Sequence, residues 1–139
     1  MADGNQLLEG ITIVLADDSQ TIRHTVEAVL GAAGCRVVSA EDGFDVLAMV
    51  VDEMPHLVLL DINMPRLDGY QACALIKQSD RCGHIPVVLL SAQNSVFDRA
   101  RGKVVRADNY LVKPFSRDEL IEVVRCLTKK SQSGVDGVM

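Results

Sequence analysis

Long apolar runs are missing from this 139-residue sequence. None approaches the roughly 18 or more residues that a membrane span needs, so no membrane insertion is expected. The start, MADGNQLLEG, lacks the basic segment followed by an apolar one that marks a secretory leader. A cytoplasmic location is the expectation. Cysteine occurs at Cys35, Cys73, Cys82 and Cys126, never in C-x-x-C spacing and mostly among apolar neighbours. That pattern argues against a disulfide framework or a zinc site and predicts reduced thiols. The histidines, His24, His56 and His84, are dispersed without H-x-x-x-H spacing and make no metal cluster. A surplus of positive charge is also missing. The formal net charge of -5 argues against broad nucleic-acid binding.

What is present suits one ordinary domain, since 48% of the residues are hydrophobic and the length is enough to bury a core. Short β-branched runs alternate with segments of helical period, the pattern of a parallel sheet with crossover helices. The strand candidates are ITIVLA (11–16), RVVSA (36–40), LVLLDI (57–62), PVVLLSA (86–92) and NYLVK (109–113). Between the first pair, Ile22, Val26, Val29, Leu30 and Ala33 form an apolar stripe, and Gly34 supplies a helix stop. Further stripes run through Phe44, Leu47, Ala48 and Val51, through Ala72, Leu75 and Ile76, and through Leu120, Val123, Val124 and Leu127. Ser116 and Glu119 have capping-box spacing before the last of them.

The fourth helix, in SVFDRARGKVVRAD, is the weak one. Gly102 sits inside it and lowers helix propensity by about 1 kcal/mol relative to alanine, so a short or loosely held element is expected. The composition of TKKSQSGVDGVM predicts a disordered tail over 129–139.

In an open sheet of this class the ligand crevice lies at the carboxyl ends of the strands, beside the switch point in strand order. The first strand ends in Asp17-Asp18, the third runs from four apolar residues straight into Asp61, the fourth ends in Ser91 and the fifth in Lys113. Three carboxylates brought together repel one another and demand a counter-ion, for which a hard divalent cation with oxygen ligands, Mg2+, is the natural choice. Such a site is prepared for phosphoryl chemistry: Lys113 offers a fixed positive charge, Ser91 a hydrogen-bond donor, and Asp61 the nucleophile. Singly, each has a plainer reading. Asp17 or Asp18 could cap the first helix, Ser91 could be a turn hydroxyl, and Lys113 a solvated edge charge. Their combination is what points to chemistry.

Those residues resemble the receiver domains of two-component response regulators. The acidic pair Asp17-Asp18, the segment Asp61-Ile62-Asn63-Met64-Pro65, Ser91-Ala92 and Lys113-Pro114-Phe115 carry the resemblance, which covers roughly residues 10–128 as one folded domain and leaves 1–9 as an N-terminal extension. It implies a flavodoxin-like, doubly wound five-stranded parallel sheet in the order 2-1-3-4-5 with five helices. It implies too that Asp61 accepts a phosphoryl group from a phosphohistidine on a partner histidine kinase. Mg2+ would be held by Asp18, Asp61 and the backbone carbonyl of Asn63, with Asp17 acting through a metal-bound water. Lys113 would contact the phosphoryl oxygen, and Ser91 and Tyr110 would move together to report phosphorylation on the face of helix four, strand five and helix five. Lys113-Pro114 would be trans by base rate, since about 5–6% of X-Pro bonds are cis, but the resemblance implies cis. Asn63 and Gln93 would flank the attacking water and tune hydrolysis.

The segments DGFDVLAMV, MPRLDGYQACALIK and FDRARGKVVRADNYLVKPFSRDEL are similar to the stand-alone receivers of the chemosensory system that controls type IV pili and twitching motility. The expectation is therefore a monomeric phosphoacceptor rather than a classical enzyme, with output through a pilus-machinery partner. Arg99, Arg101, Lys103 and Arg106, uninterrupted by acidic residues, place a cationic patch where an acidic partner would dock. Many receivers carry Gly-Ala before the fifth strand where this chain has Arg106-Ala107, which puts that connection in question.

Three other classes compete. A phosphatase of the haloacid dehalogenase type would place a second aspartate two residues after the nucleophile, where Asn63 stands. A flavodoxin-like nucleotide binder needs a Gly/Ser/Thr-rich loop where this chain reads ADDSQ. A receiver fold retained only for docking would not require the intact acidic, hydroxyl and lysine set.

Overall fold

The structure is a computed structural model that describes residues 7–92 and 96–137, with side chains described through Thr128. The elements alternate strictly: β1 (Thr12–Ala16), α1 (Gln20–Ala32), β2 (Arg36–Ala40), α2 (Gly43–Glu53), β3 (Leu57–Asp61), α3 (Gly69–Gln78), β4 (Val87–Ser91), α4 (Val96–Val104), β5 (Asn109–Val112) and α5 (Arg117–Gly137). All strand pairs are parallel, in the order β2-β1-β3-β4-β5. The chain starts in the middle of the sheet, winds outward to β2, then crosses back past β1. The switch point thus falls between β1 and β3, at the strand ends that carry Asp17 and Asp61.

The two-residue period of a strand divides the apolar side chains between the sheet faces. Ile13, Leu15, Leu57, Leu59, Val88 and Leu90 pack with Val26 and Leu30 of α1 and with Leu120 and Val124 of α5. Val14, Ala16, Val58, Leu60, Val87 and Leu89 pack with Val46 and Val50 of α2 and with Ala72 and Ile76 of α3. Every residue of β3 and β4 is buried, which explains their unbroken apolar runs. Each fully buried leucine or isoleucine contributes about 1.5–3 kcal/mol, so these central strands form a stiff base for the polar residues at their ends.

Helix termini follow local chemistry. Ser19, rather than either aspartate, caps α1 by accepting the Ile22 N–H. Gly34 ends α1 at φ +104°, and a Cβ there would stand 2.9 Å from Glu9 Cα. The Ser116–Glu119 capping box is present, with N–H to side-chain distances of 2.8 and 3.0 Å. A second capping box, Asp68 with Gln71, starts α3.

Packing adds detail in several places. Leu8, within the predicted N-terminal extension, is buried, and its N–H donates to the Ala33 carbonyl at 2.8 Å, because its side chain completes the core beneath α1. The backbone of α5 is helical through Gly137. The α4 segment is short, as expected, its 9 residues making it the shortest of the described helices, and Gly102 is its buried contact: a Cβ there would meet Leu89 Cδ1 at 3.4 Å and Tyr110 Cδ2 at 3.8 Å. Arg106 supplies the turn into β5 at φ +64°. Its N–H donates to the Lys103 carbonyl and the Ala107 N–H to the Gly102 carbonyl, each at 3.0 Å, the Schellman pattern that glycine usually closes.

Candidate functional site

The carboxyl ends of β1, β3, β4 and β5 bring the predicted residues together. Asp17 and Asp61 are buried, Asp18 is exposed, and each offers a carboxylate oxygen within 4.8 Å of the others. Lys113, one residue past β5, reaches back so that Nζ lies 2.9 Å from Asp17 Oδ2 and 3.3 Å from Asp61 Oδ1. The Lys113–Pro114 bond is cis, as the resemblance implies. The backbone locks the cluster from below. Asp17 Oδ1 accepts the Ser19 N–H at 2.8 Å, and the Asp17 carbonyl accepts from the Arg23 guanidinium at 2.7 Å. Asp61 Oδ1 accepts the Asn63 N–H at 3.3 Å. Ser91 is buried at the end of β4, and its carbonyl accepts the Lys113 N–H at 2.7 Å.

The electrostatics are unbalanced. Burial, reinforced by the nearby Asp17 charge, raises the Asp61 pKa above its ordinary 3.8, against the opposing pull of Lys113. Burial also works against the charge on Lys113, but its hydrogen bond and attraction to Asp17, with the further attraction of Asp61, outweigh that and raise its pKa. One ammonium faces three carboxylates. Asp17 Oδ2 is fully buried and, apart from that ammonium, accepts no well-formed hydrogen bond among the described residues. An orphaned buried oxygen beside two further carboxylates fits a hard divalent cation, and exposed Asp18 leaves it a way in.

In front of the cluster lies a cavity of about 530 Å³, lined by Asp18, Asn63, Ser91, Tyr70, Asp98 and Arg101 among others. The last three were not expected at this site, and Arg101 was expected only in the docking patch. Tyr70 lies two residues beyond the acidic cap of α3 and donates its hydroxyl to the Asp98 carbonyl at 3.2 Å. Burial, chiefly, lifts its pKa to about 12. Arg101 lies over the Tyr70 ring at 4.2 Å and Arg99 over the Tyr110 ring at 5.1 Å, so each tyrosine carries one α4 arginine. The predicted cationic patch is thereby divided: Arg101 faces the cavity, and Arg106 is tied to the Lys77 carbonyl at 3.2 Å. A sequence signal for Arg101 is lacking, because its place depends on how α4 packs. Asn63 is exposed at the rim; Gln93 lies outside the described residues.

Sheet order, switch point and acidic cluster together define a doubly wound α/β domain with an acidic site at its switch point. The chain belongs to the response regulator receiver domain family, whose sequence model matches residues 13–125. It is 47% identical over 120 residues to the protein PilG of Pseudomonas aeruginosa, covering 86% of this chain and 89% of that one. It is 42% identical over 119 residues to the probable transcriptional regulator ycf27 of Galdieria sulphuraria, but there spans only 45% of the relative's length. Among solved structures, the chemotaxis response regulator CheY4 of Vibrio cholerae superposes with a TM-score of 0.80 at 28% identity, over 84% of this chain and 98% of that one. The receiver domain of the P. aeruginosa sensor histidine kinase PA1611, which has a magnesium ion coordinated in its active-site cleft, gives 0.81 at 28% identity, over 86% and 98%. No helix among the described residues is long and apolar enough to cross a membrane.

Proposed function

We propose that this protein is a cytoplasmic response regulator in which Asp61 accepts a phosphoryl group from a histidine kinase and phosphorylation controls the binding of a partner in a type IV pilus, twitching-motility system. The observation that carries this reading is the placement of Lys113 Nζ between Asp17 and Asp61, 2.9 and 3.3 Å away, at the sheet edge where three carboxylates converge.

An Asp61 carboxylate oxygen bonds to phosphorus while the phosphorus–nitrogen bond to the donor imidazole breaks; the imidazole nitrogen keeps that electron pair and takes up a proton. Lys113 moves its charge from Asp61 towards the new phosphoryl oxygens, and the Ser91 hydroxyl donates to another. Asp18, Asp61 and the Asn63 carbonyl would hold Mg2+, with Asp17 supporting them, and the ion would supply the remaining positive charge. Asp61 cannot form the adduct and keep its resting contact with Lys113 unchanged, so the event is sensed at β5. Tyr110 of β5 and Ser91 of β4 then shift together, altering the face of α4, β5 and α5. The similarity to PilG supports the pilus assignment, and the divided cationic patch with Tyr110 at its centre supports that face as the output surface.

Incubation with a small acyl phosphate and Mg2+, followed by intact mass measurement, tests the chemistry. Wild type should gain one phosphoryl group and Asp61→Asn none. A stoichiometric adduct in Asp61→Asn would sink the assignment. In the native host, twitching of a deletion strain should be restored by the wild-type chain and not by Asp61→Asn.

A further inference from the structure

We propose that Arg101 is a donor-binding residue of the acceptor cavity, taking an oxygen of the incoming phosphoryl group; this rests on Asp61 being the acceptor. The four cations around α4 are in different situations. Arg99 covers Tyr110, Arg106 binds the Lys77 carbonyl, and Lys103 borders the separate groove against β5. Arg101 lines the cavity that also holds Asp18, Asn63 and Ser91.

Its guanidinium lies on the Tyr70 ring at 4.2 Å, a stacking that fixes the plane of the group while leaving its edge free to donate. No described residue forms a hydrogen bond or ion pair with it, so those donors can serve a ligand. Tyr70 is itself held, being buried and bonded to the Asp98 carbonyl at 3.2 Å, so the platform is rigid. Planar guanidinium donors suit phosphoryl oxygens. Lys113 is engaged by Asp17 and Asp61 and is not among the residues that line this cavity. A dianionic donor entering this cavity therefore meets Arg101 as the cationic side chain in its lining, in addition to the charge that Mg2+ would supply at the carboxylates. Asp98 lines the same cavity and offsets part of this charge.

The test is the initial rate of adduct formation against acetyl phosphate concentration at saturating Mg2+, read by intact mass for wild type, Arg101→Gln and Arg101→Lys. The half-saturating concentration should rise roughly tenfold in Arg101→Gln, the scale of one lost charge-assisted hydrogen bond, with the maximal rate within about twofold of wild type. Arg101→Lys should recover most of that loss. Inhibition by inorganic phosphate should weaken in parallel. A merely structural arginine would lower the melting temperature without this split. Unchanged half-saturation and unchanged phosphate inhibition in Arg101→Gln overturn the proposal, as does a change confined to decay of the preformed adduct, which would place Arg101 on the product instead. Absence of an adduct in wild type removes the acceptor reading itself and is distinguishable from all of these.

Discussion

Lys113 Nζ stands closer to Asp17 Oδ2, at 2.9 Å, than to the proposed acceptor Asp61, and Asp17 is fully buried. In the resting state, then, the lysine chiefly compensates a carboxylate that has little other support. Replacing Lys113 with methionine leaves two buried carboxylates facing each other without a counter-charge. Such a loss costs about 3 kcal/mol, and Asp17→Asn added to it should restore a large part. Urea denaturation of the two single variants and the double in magnesium-free buffer checks this; strict additivity would mean that the lysine does not depend on Asp17.

The raised pKa of Asp61 has a sign that can be measured. The folded state binds the Asp61 proton more tightly than the unfolded chain does, so this group favours folding below 3.8, its ordinary value, and that advantage is lost as pH rises through the folded pKa. Asp61→Asn should accordingly be more stable than wild type at neutral pH without magnesium, and the gap should close on acidification towards 3.8. Melting curves across that range decide it. A gap that widens as the pH falls would contradict the direction.

Magnesium should act through the same cluster. Millimolar Mg2+ should raise the melting temperature of wild type by mass action, and Asp18→Asn should remove most of the rise. Asp18 is the exposed member of the trio, so its replacement disturbs packing least. An equal magnesium response in both proteins would locate the ion elsewhere.

Two glycines should respond in opposite ways. A Cβ at Gly43 would stand 2.2 Å from the Leu67 carbonyl oxygen, where the loop after β3 is also held by the Arg66–Asp42 ion pair and by Arg66 lying 5.3 Å over Phe44. Gly43→Ala should destabilise by about 1–3 kcal/mol and slow adduct formation, because the displaced loop carries Asn63. A Cβ at Gly102 meets only side-chain carbons, the nearest at 3.4 Å, so Gly102→Ala should stabilise by up to about 1 kcal/mol through helix propensity. Thermal denaturation of both variants separates the cases.

The parts of the fold legible in sequence were those written in local pattern. Unbroken apolar runs marked β3 and β4 because both faces of the sheet are covered, and Ser116 with Glu119 marked the start of α5 because a capping box is a contact over three residues. Sheet order was not written that way and came from family resemblance. What escaped depends on packing between distant segments. Leu8 is core only because α1 ends above it. Gly102 is legible as a weak point of helix propensity, but its place against Leu89 and Tyr110 is not. Asp17, Asp18, Asp61, Ser91 and Lys113 were found because strand ends converge in this topology, whereas Arg101 was seen only as part of a basic stretch, since its separation from the other cations is a property of how α4 sits on Tyr70.

That separation also sharpens where a partner should bind. Val96, Phe97 and Val104 of α4 are 87, 71 and 81% exposed, an unusual cost unless something covers them. Beside them Arg99, Lys103, Asn109 and Tyr110 line a groove of about 260 Å³ between α4 and β5. Apolar anchors next to cations on a chain of net charge -5 suit an acidic partner with apolar side chains of its own. Arg99→Glu combined with Lys103→Glu should abolish binding of the proposed partner, while phosphorylation of Asp61 continues at close to the wild-type rate because neither residue lines the cavity that holds Asp18, Ser91 and Arg101. Phe97→Ser should weaken binding without altering its salt dependence, since it removes contact area and no charge. Titration of the phosphorylated protein against the partner at two ionic strengths, paired with adduct measurement, distinguishes the outcomes: loss of binding and phosphorylation together, or of neither, would put the output surface on another face.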